Sequence, residues 1–370
     1  MGFLRYFYDV MRFMQLPSCR RRLTFYSEGK NYWPYLKGLL LKILDNSNVE
    51  ICYISSDDDD PGVLLKHPNL QTFKIGEGIL RNWFFENIDT EIMVMTMPDL
   101  NQYYIKRSKH KVHYVYIQHS LVSLHMAYRK GSFDFFDTIF CAGPHHVKEI
   151  KAMEQFYNLP KKNIVKQGYL LLEEIKQTGK RVVRKNDRMH ILIAPSWGED
   201  CIIESGIGEK IVDNLIERGC RVILRPHPQT IKFAKKQISK ILKKYDKNSM
   251  FKYEDSIVGH ESLFFSDFMV SDWSGAALDY AFGLKKPVVF IDVPKKVNNS
   301  DYDKINISPL EIDIRDKIGI VVQDENFSLE KIKKFTITED IENLYFKNAC
   351  ENGMKFLINL LDNNSLKCFL

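Results

Sequence analysis

The sequence predicts an α/β protein built from two Rossmann-like, doubly wound domains facing across a crevice. Short apolar segments rich in Val, Ile, Tyr and Phe alternate with helical patterns along most of the chain, the mark of a parallel sheet flanked by helices. The alternation lapses once, in the polar stretch 177–188 (QTGKRVVRKNDR), and then restarts. At 370 residues the chain exceeds one ordinary hydrophobic core and suits two.

Taken in order, residues 1–22 predict an amphipathic N-terminal helix. Phe3, Phe7, Val10 and Met14 recur at helical spacing while Arg5, Asp9 and Arg12 point elsewhere. Either this face packs on its own domain, or it lies on an anionic membrane surface with Arg20, Arg21 and Arg22 as a basic clamp. The first domain spans 23–180, with strands expected at 23–26, 49–55, 71–75, 91–97, 112–118, 138–142 and 163–169 and helices at 32–44, 79–87 and 144–157. The second spans 187–340, with strands at 189–194, 221–224, 250–253, 267–270, 287–292 and 318–322. Its helices are expected at 208–218, 231–245, 260–265 and 276–282. A last helix is expected over 341–361, within a C-terminal segment 341–370.

Composition narrows the function. With 45% hydrophobic and 27% charged residues, 13 prolines and 19 glycines, the chain is neither disordered nor collagenous. A net charge of +6 favours anionic partners such as phosphates without requiring nucleic acid. The seven cysteines form no CxxC pair, which argues against a disulfide framework or zinc site and for a reducing cytoplasm. There is no apolar run long enough to span a membrane and no signal-peptide pattern.

The strongest local signal is Val270-Ser271-Asp272-Trp273-Ser274-Gly275, where a buried strand ends in a tight turn that opens a helix. A helix N-terminus carries roughly half a positive charge and unpaired N–H donors, so Ser274 and Gly275 suit a phosphate; alternatively Ser274 only caps the helix. Arg225-Pro226-His227-Pro228 follows another strand, its prolines fixing a turn that presents a guanidinium fork and an imidazole. A plain surface turn is the alternative. Ser196, in Ala194-Pro195-Ser196-Trp197-Gly198, is a further phosphate contact, with Trp197 more suited to packing than to stacking on a base.

In the first half, His119 ends the strand Tyr116-Ile117-Gln118 and is the candidate general base, since an unperturbed imidazole titrates near neutrality. Arg129, Lys130 and Asp134 form a polar loop able to meet an acceptor. The run Asp57–Asp60 before Pro61-Gly62 reads as a solvated turn rather than a metal site.

Across residues 110–325, the ordered set His119, Gly168-Tyr169, Ala194-Pro195-Ser196-Trp197, Arg225-Pro226-His227-Pro228, Ser271-Asp272-Trp273-Ser274, Asp279-Tyr280 and Lys286-Pro287 resembles the CDP-glycerol glycerophosphotransferase family. The resemblance implies a GT-B architecture, with an acceptor domain first and a nucleotide-donor domain second. It implies transfer of a glycerol-phosphate or related alditol-phosphate group from a CDP-linked donor to a polysaccharide or lipid-linked acceptor, as in teichoic acid and capsule synthesis. In the family the match of His119 is the general base, and the matches of Arg225, His227, Ser271, Asp272 and Ser274 form the donor site; the turns themselves add Ser196 and Gly275 as donor contacts and His227 as a catalytic acid. No metal or other cofactor would be required, and the enzyme would be cytoplasmic, peripheral on the inner face of the membrane. A glycosyltransferase using a nucleotide sugar, an epimerase of the same architecture and a non-catalytic polymer-binding protein are the alternatives. The chain departs from the family pattern at Ser120, where a Gly is usual, at Leu170-Leu171-Leu172-Glu173, and over 298–320.

Overall fold

The computed structural model describes residues 2–181, 188–255, 261–338 and 340–367. The chain divides into two compact units: residues 1–119, 128–171 and 344–370 form the first, and 120–127 with 172–343 form the second. The eight residues after His119 thus belong to the second unit, and the C-terminal segment belongs to the first.

The first unit comprises α1 (Gly2–Met14), β1 (Leu23–Ser27), α2 (Pro34–Asn46), β2 (Ile51–Ser55), β3 (Leu70–Lys74), α3 (Ile79–Asn87), β4 (Ile92–Met95), β5 (His113–Tyr116), β6 (Thr138–Cys141), α4 (Pro144–Phe156) and β7 (Asn163–Lys166). All its strands are parallel, in the order β3-β2-β1-β4-β5-β6-β7. Every residue of β1, β2, β4 and β6 is buried, as strands covered on both faces require.

Sequence and structure differ most at α1. The docked face carries Val10 and Phe13, not Phe7, and Phe13 sits edge-on to Phe73 and Phe84 with centroids 5.3 and 5.2 Å away. Asp9, expected to face away, accepts from the Lys74 N–H (2.9 Å), and the Arg12 guanidinium donates to the Thr72 carbonyl. The cause is the sheet edge: β3 is the outermost strand, and these two side chains satisfy backbone groups that would otherwise be an open edge. The Leu4, Phe7, Tyr8 and Met11 side chains are left exposed.

The chain then forms α5 (Leu170–Gly179), where the sequence suggested a strand running to Tyr169 followed by a linker from 177. Gly168, at φ 107°, ends the extended run after β7, and the three leucines that follow enter a helix. The rest of the expected linker, 182–187, lies outside the described residues. The second unit continues with β8 (His190–Ile193), α6 (Ile207–Glu217), β9 (Arg221–Leu224), α7 (Pro228–Phe233), α8 (Lys235–Tyr245), β10 (Phe251–Tyr253), α9 (Glu261–Phe265), β11 (Phe268–Ser271), α10 (Gly275–Leu284), β12 (Val288–Ile291), α11 (Leu310–Asp313), α12 (Arg315–Ile318), β13 (Gly319–Val322) and α13 (Leu329–Lys334). Its parallel sheet runs β10-β9-β8-β11-β12-β13. The helix expected over 231–245 is two helices, starting at Pro228, whose fixed φ suits a first turn. The helix expected to start at 260 is α9, and His260 itself lies outside the described residues.

The final helix, α14 (Ala349–Lys367), starts eight residues later than expected, after a short 3-10 turn at Ile341–Asn343. It returns to the first unit, where Ala349, Met354, Leu357 and Leu361 join a core with Leu36, Leu39, Leu40 and Ile43 of α2.

In both sheets the strand order reverses beside the first strand of the unit, at β1/β4 and at β8/β11. Ligands of open α/β sheets bind beyond the carboxyl ends of the strands at this reversal. The turns that follow β8 and β11 are Ala194–Gly198 and Asp272–Gly275, two of the segments singled out in the sequence.

Candidate active site

In the second unit the two turns at the reversal are tied together by Asp272. Its side chain is buried, and its two oxygens accept from the Ser196 N–H (2.7 Å) and the Ile202 N–H (3.2 Å). Ser271, also buried, donates to the Ala194 carbonyl (2.8 Å). These two donor-site candidates therefore act on the loop after β8. Ser196 is 4% exposed and its hydroxyl lies 3.1 Å from Cys201 Sγ. Burial and the nearby Asp272 carboxylate push the Cys201 thiol up to about 12, so it stays protonated.

Ser274 is the N-cap of α10 and accepts from the Ala276 N–H (3.3 Å). A Cβ added to Gly275 would overlap Ser120 Oγ, so the residue that departs from the family pattern sits directly on the start of α10. Its own segment is locked into this unit. The Ser123 N–H and hydroxyl donate to the two oxygens of Glu311 (2.9 and 2.6 Å), and His125 Nε2 donates to the Ile307 carbonyl (3.0 Å). Asn299 donates to the His125 carbonyl (2.9 Å). The unassigned stretch 298–320 thus serves to hold residues 120–127.

The Arg225-Pro226-His227-Pro228 turn follows β9, the neighbour of β8. Arg225 is 7% exposed and donates to Glu254 through Nε (3.1 Å) and a terminal nitrogen (2.8 Å), and to the Ser262 hydroxyl. Burial lowers its pKa and Glu254 raises it. His227 caps α7, its Nδ1 accepting from the Gln229 N–H (3.1 Å), so the proton of the neutral ring lies on Nε2. Its ring stacks on Trp197, 6.0 Å between centroids at 28°. Trp197 thus packs face-on against His227, consistent with the packing expected from the sequence.

A cavity of about 770 Å³ lies beside these turns, lined among others by Trp273, Asp292, Lys295 and Arg315. Arg315 lies 4.0 Å over the Trp273 ring and pairs with Asp292 (3.3 Å). Sequence reasoning missed it because α11 and α12 are short and carry no motif.

In the first unit His119 stands at the carboxyl end of β5 within a ring of tyrosines, Tyr32, Tyr35, Tyr116 and Tyr128. Nδ1 lies 3.1 Å from the Thr96 carbonyl, which can only accept, so Nδ1 carries the proton and Nε2 bears the lone pair. Nε2 is 3.4 Å from the Tyr128 hydroxyl. Desolvation lowers the imidazole pKa to about 4, with the Thr96 bond opposing it. His119 is therefore neutral throughout the physiological range, with its proton on Nδ1 and its lone pair on Nε2.

Glu28, just after β1, was not anticipated. Burial pushes its carboxyl up to about 7, against the pull of Arg81, and it hydrogen-bonds to Tyr32 of the tyrosine ring. Arg129 and Lys130 lie over the rings of Tyr103 (5.4 Å) and Tyr157 (4.6 Å). Asp134 is raised by burial, against nearby Lys162 and Lys130. The acidic run before Pro61 is more structured than a solvated turn. Asp60 is buried and accepts from Tyr53, Ser55 and the Gly62 N–H, and Asp57 accepts from the Lys30 and Asp59 N–H groups. Among the described residues no three His, Cys, Asp or Glu side chains are grouped to hold a metal ion.

Two Rossmann-like units of this kind define the GT-B architecture, and solved structures bear this out. The wall teichoic acid polymerase TagF, in a form soaked with CDPG, matches 99% of this chain and 94% of its own at 13% identity, with a TM-score of 0.58. MnaA of S. aureus, solved with UDP, matches 92% of this chain and 97% of its own at 11% identity and 0.60. The UDP-GlcNAc 2-epimerase of Methanocaldococcus jannaschii in complex with UDP-GlcNAc and UDP matches 92% and 99% at 13% and 0.54. At these identities the likeness is one of fold. No curated protein sequence matches the chain. Residues 136–297 match the model of the CDP-glycerol:poly(glycerophosphate) glycerophosphotransferase family, which bears out the resemblance read in the sequence. The matched segment contains all the donor-site candidates.

The His119 environment gives a pH prediction. Its folded pKa, about 4, lies below the unfolded value near 6.5. Its contribution is therefore fully present above pH 6.5 and is lost as pH falls through about 4, where the unfolded chain binds the proton more readily. Denaturant unfolding between pH 7 and pH 4 should show a steeper acid loss for the wild type than for His119→Gln. Equal slopes would contradict a desolvated imidazole.

Proposed function

We propose that the protein transfers a glycerol-phosphate or related alditol-phosphate group from a CDP-linked donor to a hydroxyl of a surface polysaccharide or lipid-linked acceptor. The observation that carries this reading is the family match over 136–297, which covers both turns at the sheet reversal of the second unit.

In this reading the second unit binds the donor and the first supplies the base. Nε2 of His119 takes the proton of the acceptor hydroxyl as its oxygen attacks the outer phosphorus. The phosphoanhydride bond breaks, and CMP departs with the bonding electron pair. Negative charge then grows on the bridging oxygen, where N–H donors at the start of α10 and Nε2–H of His227 are already oriented and require little rearrangement. The imidazole N–H and the helix-terminus amides meet that charge with hydrogen bonds, and the reaction as written uses no metal. Arg225 supports the site from below, since its guanidinium is held by Glu254 and Ser262. The protein would work in the cytoplasm, at the membrane where lipid-linked acceptors are held.

The purified protein, given CDP-glycerol, CDP-ribitol and UDP- and GDP-sugars with a polymer acceptor, should release CMP from a CDP-alditol and nothing from the others. Release of UDP or GDP would replace phosphotransfer by glycosyl transfer, and interconversion of a nucleotide sugar without acceptor would indicate an epimerase. His119→Ala should lower turnover by about 100- to 10,000-fold with donor affinity near wild type. Near-full activity in that variant would remove His119 as the base.

The exposed Leu4, Phe7, Tyr8 and Met11 of α1, spaced as one helical stripe, support a peripheral contact with anionic membrane. No described helix is long and apolar enough to cross a membrane. Changing Leu4 and Phe7 together to Ser should lower sedimentation with anionic liposomes severalfold and leave thermal stability unchanged. Undiminished liposome binding would refute the contact.

A further inference from the structure

Lys296 belongs to none of the motifs in the sequence; after Pro294 and beside Lys295 it reads as one of two surface lysines. The fold places it in the loop after β12, at the same carboxyl edge as the donor turns, and half-buries it. Its ammonium lies 4.2 Å from the centre of the Trp197 ring, the ring that also stacks on His227. Such a contact is attractive and restrains a flexible side chain.

What the ammonium lacks is an anion. Among the described residues it makes no hydrogen bond and no carboxylate stands within 4 Å of it, although Asp272 and Glu204 are close enough to attract it. Asp272 is engaged by the Ser196 and Ile202 N–H groups; of Glu204, one oxygen accepts from the Thr230 hydroxyl (2.7 Å) and the other, buried, has no hydrogen-bond partner among the described residues and stands more than 4 Å from the ammonium. Burial lowers the lysine pKa, the direction expected of a cation partly stripped of water without a full partner. An exposed lysine would meet no such cost, and a structural one would be paired.

We propose that Lys296 is a ligand for a donor phosphate group, propped on Trp197 so that its ammonium meets the nucleotide's diphosphate at the edge of the second sheet. This rests on the reading of that unit as the donor unit. It adds a fixed positive charge to the neutral donors of the site, the Nε2–H of His227 and the amides at the start of α10. It also gives Trp197 a task, since one indole holds both the imidazole and the ammonium in place. Arg225, the residue that sequence reasoning gave this task, is already committed to Glu254.

Calorimetric titration of CDP, CMP and cytidine into the wild type, Lys296→Gln and Lys296→Arg tests the assignment. Lys296→Gln should weaken CDP by about 10- to 100-fold, the range for a hydrogen bond to a charged group, and leave cytidine within about twofold. Lys296→Arg, which keeps the charge, should recover most of the loss. CDP bound by Lys296→Gln as tightly as by the wild type would overturn the assignment. So would an equal loss for cytidine, which would mean that the lysine shapes the pocket instead of binding phosphate. Should UDP or GDP bind the wild type more tightly than CDP, with the same dependence on Lys296, the donor would be reassigned and the lysine's role would stand. A wild type that binds no nucleotide would overturn both.

Discussion

A single buried carboxylate organises the turns at the sheet reversal of the second unit. Asp272 sits where the strand order of the second sheet reverses and accepts two backbone N–H groups from the loop on the neighbouring strand. A buried charge is tolerated only when it is fully hydrogen-bonded, and here the bonds come from the loop that must be shaped. Ser196, Trp197 and Cys201 take their positions from it. Trp197 in turn contacts His227 and Lys296, so the turns after β8, β9 and β12 are coupled through one ring.

The first unit solves a different problem by the same means. For the role proposed for it, His119 must be unprotonated at working pH with its lone pair on a defined nitrogen. The Thr96 carbonyl selects the nitrogen, and the tyrosine ring removes the water that would favour the charged form. The outcome is a histidine that titrates well below neutrality, whereas Glu28, two strands away in the sheet, is the carboxyl brought up to about 7. Of these two groups, Glu28 at the reversal and not His119 is the one brought close to neutrality.

The central strands were readable because each is a short apolar run closed by a turn, the pattern of parallel strands buried on both faces. The helix start at Pro144 was readable too, whereas the one at Pro228 was not. What periodicity could not carry was the tertiary partner. The inward face of α1 was misread because Asp9 and Arg12 look like solvent-facing charges, and only the exposed edge of β3 gives them a reason to turn in. Likewise Glu311 and Arg315 lie on helices of one turn each, too short to show a face. The motif residues were located by their turns, but Asp272 and Arg225 are bound to partners 70 and 29 residues away that no local pattern announces.

The proposed donor site depends on a phosphate arriving at one edge of the second sheet, where an imidazole and a lysine meet on one indole. The most direct measurement is a crystal structure of the protein soaked with CDP. Diphosphate density is expected against the Ser196 and Ser274 turns, within hydrogen-bond reach of His227 Nε2 and Lys296 Nζ. Nucleotide seated on the first unit, or a diphosphate remote from both turns, would contradict the assignment of the donor site.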